Sequence, residues 1–160
     1  AISHCTISNV CFSNGVLPAA RFTRKGIDIG LGTDISGGFS PSLFDNIRQA
    51  VISSRMLEEG VDPSLAAPER GLPHSRITAH EAFYYATAGG GQSLSLPIGR
   101  LEENYAWDVQ VIDVNAPNAK LPLFDDGISM ENLLHKILFL SRPENIREVW
   151  VQGECVHKRP

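Results

Sequence analysis

Asp34 is the residue of this 160-residue chain whose type and setting best suit chemistry. The run Gly30-Leu31-Gly32-Thr33-Asp34-Ile35-Ser36-Gly37-Gly38 stops an apolar segment on a carboxylate and follows it at once with glycines. Ile27 to Leu31 reads as a strand that delivers Asp34 to a rim, where glycines let a ligand or a metal ion approach the backbone closely. A carboxylate so placed can ligate a cation or carry a proton. The same residues also suit a plain turn, or the cap of a helix entered around Ser40 to Leu43, because Asp and Gly favour both positions. Local pattern leaves both readings open.

The other candidates are weaker. His4 ends an apolar strand, as Asp34 does, and parallel β/α folds collect functional groups at strand ends; a strand-end histidine satisfied by backbone fits equally well. His80 and His135 sit on helices and read as surface or interface residues, and His74 and His157 lie in loop and tail. The five histidines form no H-x-H and no H-E-x-x-H, and no cysteine stands at zinc-finger spacing, so the chain holds no complete metal site of its own. Gly30-x-Gly32 lacks the third glycine of a dinucleotide fingerprint, and Gly89-Gly90-Gly91 lacks the lysine of a P-loop. Ser36 is not in a G-x-S-x-G elbow, which argues against a serine hydrolase.

Elements to position these groups follow from periodicity. Ala1 to Cys5 and Ile27 to Leu31 read as strands, Leu17 to Arg24 and Leu43 to Leu57 as helices, and that alternation favours parallel β/α units. In the longer helix Leu43, Ile47, Ala50, Val51 and Leu57 share a face at 3.6-residue spacing, with Ser40-Pro41-Ser42 as its start and Pro41 near the first turn. Gly60 to Ser75 carries three prolines and reads as a surface loop, either lid or insertion. Thr78-Ala79-His80-Glu81 matches a capping box opening a helix that Gly89-Gly90-Gly91 would end. Beyond Pro97 the texture changes. Ala106 to Asp113 alternates as a half-buried strand does, Met130, Leu133, Leu134, Ile137 and Leu138 form a helix stripe, and Glu148 to Val156 reads as a hairpin turning near Gln152-Gly153. The expected division is 1–96 and 97–160.

Composition sets the outer bounds. A net charge of −4 and 42% hydrophobic residues describe an ordinary globular chain, and Arg21, Arg24, Lys25, Arg48 and Arg55 form no basic run, which argues against nucleic acid or an anionic membrane as partner. Three cysteines, Cys5, Cys11 and Cys155, suggest free and mostly buried thiols in a reducing compartment rather than a disulfide framework. No apolar stretch is long enough to span a bilayer, so the expected location is cytoplasmic. The chain opens without methionine inside a strand-like segment, a hint that it is the later portion of a longer protein.

Taken in order, Ser3-His4-Cys5-Thr6-Ile7-Ser8-Asn9, Gly30 to Gly38, Asn46-Ile47-Arg48-Gln49-Ala50 and Ala86-Thr87-Ala88-Gly89-Gly90 resemble the amidohydrolase superfamily. Within it they are similar to the branch related to chlorohydrolases, and to the guanine deaminases in particular through G-L-G-T-D-x-x-G-G-x-S. Ile98-Gly99-Arg100-Leu101 through Trp107-Asp108, and Asn145-Ile146 to Val151-Gln152-Gly153, resemble that family's C-terminal region. One departure stands out: Thr6 occupies a position where the family pattern usually has proline, which puts the local turn in question.

The resemblance implies an α/β fold: the C-terminal part of a (β/α)8 metal-dependent hydrolase barrel, joined to the C-terminal segment of a small β-sandwich. A whole barrel needs roughly 250 residues, so the remaining strands and the histidine ligands would lie upstream. By the same resemblance Asp34 is the aspartate ending the eighth strand, a ligand of one zinc ion and the carrier of the attacking water's proton. His4, Ser36, Gly37 and Gly38 would lie near the substrate pocket. The implied activity is hydrolytic deamination of guanine to xanthine and ammonia. Its implied partners are a purine substrate, the upstream part of the same enzyme and, in the full enzyme, a second copy. A related amidohydrolase acting on another aminopurine, a pyrimidine or a triazine is the nearest alternative, and a non-catalytic interaction module is the alternative from another class.

Overall fold

The computed structural model describes residues 1–123 and 127–159. It has mixed α/β content and divides into two compact units, Ala1–Leu96 and Pro97–Pro160.

In the first unit, β1 (Ile2–His4) and β2 (Ile29–Leu31) pair in parallel, with Ile2 opposite Ile29, Ser3 opposite Gly30 and His4 opposite Leu31. Both strands are shorter than their apolar runs, and each has one partner among the described residues. Between them come α1 (Thr6–Cys11) and α2 (Ala19–Thr23); after them come α3 (Leu43–Glu59), α4 (Ala79–Ala86) and α5 (Ala88–Leu94). Ile7, Ile29, Ile47, Val51, Ile77 and Tyr85 form the buried centre.

The face that α3 buries is less apolar than its sequence stripe. Ile47, Ala50 and Val51 are buried but Leu43 is exposed, while Asn46, Ser53 and Ser54 are also buried. Burial of such groups is tolerated because each is hydrogen bonded. Ser54 Oγ donates to Val51 O at 2.8 Å and accepts from Ile77 N at 3.1 Å, and Ser53 Oγ accepts from Gln49 Nε2 at 2.7 Å. Pro41 is not in the first turn: the N-cap is Ser42, and Ser40 Oγ accepts from Ser42 N at 3.1 Å and donates to Asp45 Oδ2 at 2.6 Å.

The capping box of α4 forms in full, with Glu81 N donating to Thr78 Oγ1 at 3.1 Å and Thr78 N donating to Glu81 Oε2 at 2.7 Å. The helix ends at Ala86, however, and Gly89, Gly90 and Gly91 lie inside α5 rather than terminating α4. Gly89 and Gly90 approach β2 closely. A Cβ on Gly89 would lie 2.7 Å from Ile29 O, and one on Gly30 would lie 3.0 Å from Gly90 Cα. Any larger residue would force strand and helix apart.

The segment from Gly60 to Ser75 holds no helix or strand, yet it is tied to the end of α3. Leu72 N donates to Leu57 O at 2.8 Å, and Ser75 N and Arg76 N donate to Glu58 Oε2 at 3.0 and 2.9 Å. The Arg76 backbone hydrogen bond is the main cause holding the Glu58 carboxyl below its ordinary range.

In the second unit β3 (Val109–Ile112), β4 (Ile146–Val151) and β5 (Glu154–Lys158) form an antiparallel meander in that order. Gln152 and Gly153 have φ of 50° and 82°, the double positive φ that a tight two-residue hairpin turn requires. The helix α6 (Met130–Leu140) starts at Ser129, whose side chain accepts from Asn132 N at 3.2 Å. Buried Asn145 knits the unit together: its Nδ2 donates to Asp113 O at 2.8 Å and Ala119 O at 2.7 Å, and its Oδ1 accepts from Arg142 N at 2.9 Å.

Cys5, Cys11 and Cys155 are free, but none is buried; Cys11 is exposed at the end of α1 and the others are half-buried. That corrects the expectation of mostly buried thiols. Among the described residues no helix is long and apolar enough to cross a membrane.

Candidate active site at the ends of the parallel strands

Because β1 and β2 run parallel, the residues that follow them emerge at the same end of the unit. Gly32 N donates to His4 O at 3.1 Å, carrying the pairing one step past β2. A Cβ on Gly32 would lie 2.9 Å from both Ser3 Oγ and Cys5 Sγ, so a side chain there would require those two groups to turn away. Asp34 comes two residues later, exposed and with φ of 49°. Aspartate tolerates this left-handed conformation better than most residues, and the bend is closed by Gly38 N donating to Asp34 O at 2.9 Å.

The carboxylate is held from the other exit. Ser8, in the first turns of α1 and only 6% exposed, donates its hydroxyl to Asp34 Oδ2 at 2.6 Å. That length is at the short end of the range for O–H···O hydrogen bonds. Gly37 faces the same oxygen, and a Cβ there would lie 2.6 Å from Oδ2. Gly38 is buried, with its Cα hydrogens against Thr33 O and Ile7; a Cβ would lie 2.7 Å from that oxygen. Ser36 is exposed. The structure thus brings Asp34, Gly37 and Gly38 into one turn and adds Ser8, to which the sequence assigned no role. Ser8 and Asp34 are 26 residues apart, and only parallel pairing of two short strands joins them.

His4 is placed differently. It is 3% exposed, its Nε2 lies 3.2 Å from Thr6 Oγ1, and its Nδ1 has no hydrogen-bond partner among the described residues. Burial pushes its pKa down to about 4, so the ring is neutral around pH 7. Thr6 also answers the question raised by its replacing proline. It is the first residue of α1, the helical position where proline is most at home, so threonine and proline suit the same backbone there.

Ile7 N donates to Asn46 Oδ1 at 3.4 Å, and Asn46 Nδ2 donates to Ser42 O at 3.2 Å. Fully buried Asn46 therefore braces α1, and with it Ser8, from α3. An exposed carboxylate fixed by a buried donor at the mouth of parallel strands can ligate a divalent cation and exchange a proton with water. A carboxylate oxygen suits a hard or borderline metal ion.

The chain belongs to the amidohydrolase family: the model of that family matches residues 1–156. Among curated relatives, it is 34% identical to the guanine deaminase of Mus musculus over 98% of this chain and 33% of that protein. It is 32% identical to the guanine deaminase of Dictyostelium discoideum, again over 98% of this chain and 33% of that protein. Among solved structures it is similar to the guanine deaminase from C. acetobutylicum with guanine bound in the active site, at 28% identity and a TM-score of 0.77, covering 98% of this chain and 33% of that one. The chain spans about a third of the length of the relatives it matches.

Proposed function

We propose that these residues are the C-terminal third of a zinc-dependent guanine deaminase. They would supply the last strands of a (β/α)8 barrel and the C-terminal segment of a small β-sandwich. The observation that carries the reading is Asp34: a clamped carboxylate just past a parallel strand, in a chain whose whole length resembles guanine deaminases. The outer edges of β1 and β2 support it, since a pair of three-residue parallel strands is a piece of a larger sheet. In this reading the enzyme is a cytoplasmic homodimer whose other metal ligands lie in the upstream part, and the 160 residues alone do not turn over guanine.

Asp34 would be one ligand of a zinc ion, which would supply Lewis acidity that brings the pKa of water toward roughly 7. Asp34 would accept a proton as the water oxygen bonds to C2 of the purine. That proton would pass to the exocyclic nitrogen as the C2–N bond breaks, the water's second proton would move from the oxygen to N3, and xanthine and ammonia would leave. Ser8 keeps the carboxylate aimed. Gly37 and Gly38 keep side chains out of the space beside it, and Ser36, exposed in the same turn, is placed to meet substrate. His4, neutral and buried, contributes shape and hydrogen bonding behind the strand end rather than charge.

The test is ammonia release from guanine by the zinc-loaded full-length enzyme and its Asp34→Ala variant, with zinc content measured alongside. Turnover lost in the variant, by about 10³-fold or more, is the expected result. Full activity in the variant, or no turnover of guanine by the parent, overturns the reading. A strong preference for another aminopurine, a pyrimidine or a triazine would redirect the substrate while keeping the role of Asp34.

A further inference from the structure

We infer that Ser8 is a positioning residue, which fixes the Asp34 carboxylate by holding Oδ2 and so reserves Oδ1 for the metal ion and the travelling proton. The inference rests on the function proposed above. Asp34 is exposed and sits in a turn, so nothing in its own backbone prevents the carboxylate from rotating. Ser8 is buried, and the helix carrying it is braced by Asn46 through Ile7 N. The buried partner therefore restrains the exposed one. The 2.6 Å hydrogen bond occupies one of the roughly four lone-pair sites of a carboxylate, and on the other flank the absence of a side chain at Gly37 leaves Oδ2 room to reach the hydroxyl.

A group that orients a metal ligand changes affinity and turnover by about 10–100-fold when removed. The expectation for Ser8→Ala in the full-length enzyme is a zinc dissociation constant, measured by competition with a chromophoric chelator, raised about 10–100-fold. In the reloaded variant kcat falls by a similar factor while the KM for guanine stays within about 3-fold, because the hydroxyl faces the ligand and not the substrate. Ser8→Thr, which keeps the hydroxyl, restores both values.

Gly37→Ala is the independent second variant. It leaves Ser8 intact but places a carbon against the same oxygen, and it should weaken zinc binding in the same direction. Unchanged zinc affinity in Ser8→Ala overturns the inference whatever Gly37→Ala does, as does a loss carried by KM alone or a Ser8→Thr variant no better than Ser8→Ala. Asp34→Ala separates the two levels. If it retains zinc as tightly as the parent, the deaminase reading fails; if it loses zinc while Ser8→Ala does not, only the role of Ser8 fails.

Discussion

Thr6 Oγ1 and His4 Nε2 lie 3.2 Å apart inside the first unit, the hydroxyl at 1% exposure and the ring at 3%. The threonine that departs from the proline of the resembling families thus gives a buried imidazole nitrogen its partner. Thr6→Val keeps the volume and leaves Nε2 unpaired, which should lower stability by about 1–3 kcal/mol. Thr6→Pro leaves the same nitrogen unpaired but suits the first helical position and stiffens the unfolded chain, recovering about 0.4–1 kcal/mol. Thermal unfolding should rank parent above Thr6→Pro above Thr6→Val. A Thr6→Val variant as stable as the parent would remove the hydrogen bond from the account.

His4 should also make the protein sensitive to acid. Its folded pKa is lowered to about 4 while the unfolded chain keeps the ordinary 6.5, so between these values the unfolded state binds the extra proton. The stabilisation is present above pH 6.5 and is lost as pH falls through that window toward 4, a span worth at most about 3 kcal/mol. NMR titration of the ring should show a midpoint near 4, and His4→Phe should flatten the acid limb of stability. A midpoint near 6.5 would mean that the ring is solvated.

Gly60 and Gly26 offer a matched comparison. Both have positive φ, 71° and 75°, but a Cβ on Gly60 would lie 1.8 Å from Arg70 O whereas one on Gly26 meets nothing within 4 Å. Gly26→Ala should therefore cost only the left-handed backbone penalty, about 1–2 kcal/mol. Gly60→Ala must in addition lift the 60–75 segment off the end of α3, and should lose more than about 3 kcal/mol in all. Equal melting temperatures for the two variants would show that the segment is not held there.

Thr78 supplies the accepting hydroxyl of the capping box it shares with Glu81 at the start of α4. Thr78→Ala should lower stability by about 1 kcal/mol and Thr78→Ser by much less, because serine keeps the accepting oxygen. Chemical denaturation reads the difference directly, and an indifferent Thr78→Ala would show that packing of Ala82 and Tyr85 sets the start of α4.

What could be read from the residues was whatever depends on near neighbours. The Thr78–Glu81 box, the helix signal of α6 and the turn at Gln152-Gly153 are patterns within a few positions, and all three form, although Met130 of the α6 stripe is exposed and only its Leu138 is buried. α1 has six residues, too short to show a period, and the Gly-rich sequence of α5 has poor helix propensity. Both are helices because of what they pack against, α1 beside α3 and α5 against β2. The polar groups buried on α3 were equally hidden, since Asn46 and Ser54 find partners at Ile7 and Ile77, 39 and 23 residues away. At the site the pattern singled out Asp34 but not Ser8, for the same reason: composition marks a reactive group, while its orienting partner is defined only by topology.

The two short strands carry a further consequence. Each presents one row of backbone donors and acceptors that no described strand satisfies, a template to which another backbone can bind. Exposed Ile35 and Phe39 add apolar surface in the turn that follows β2. Prepared in isolation, these residues should self-associate as concentration rises, with the strand rows of separate copies completing one another.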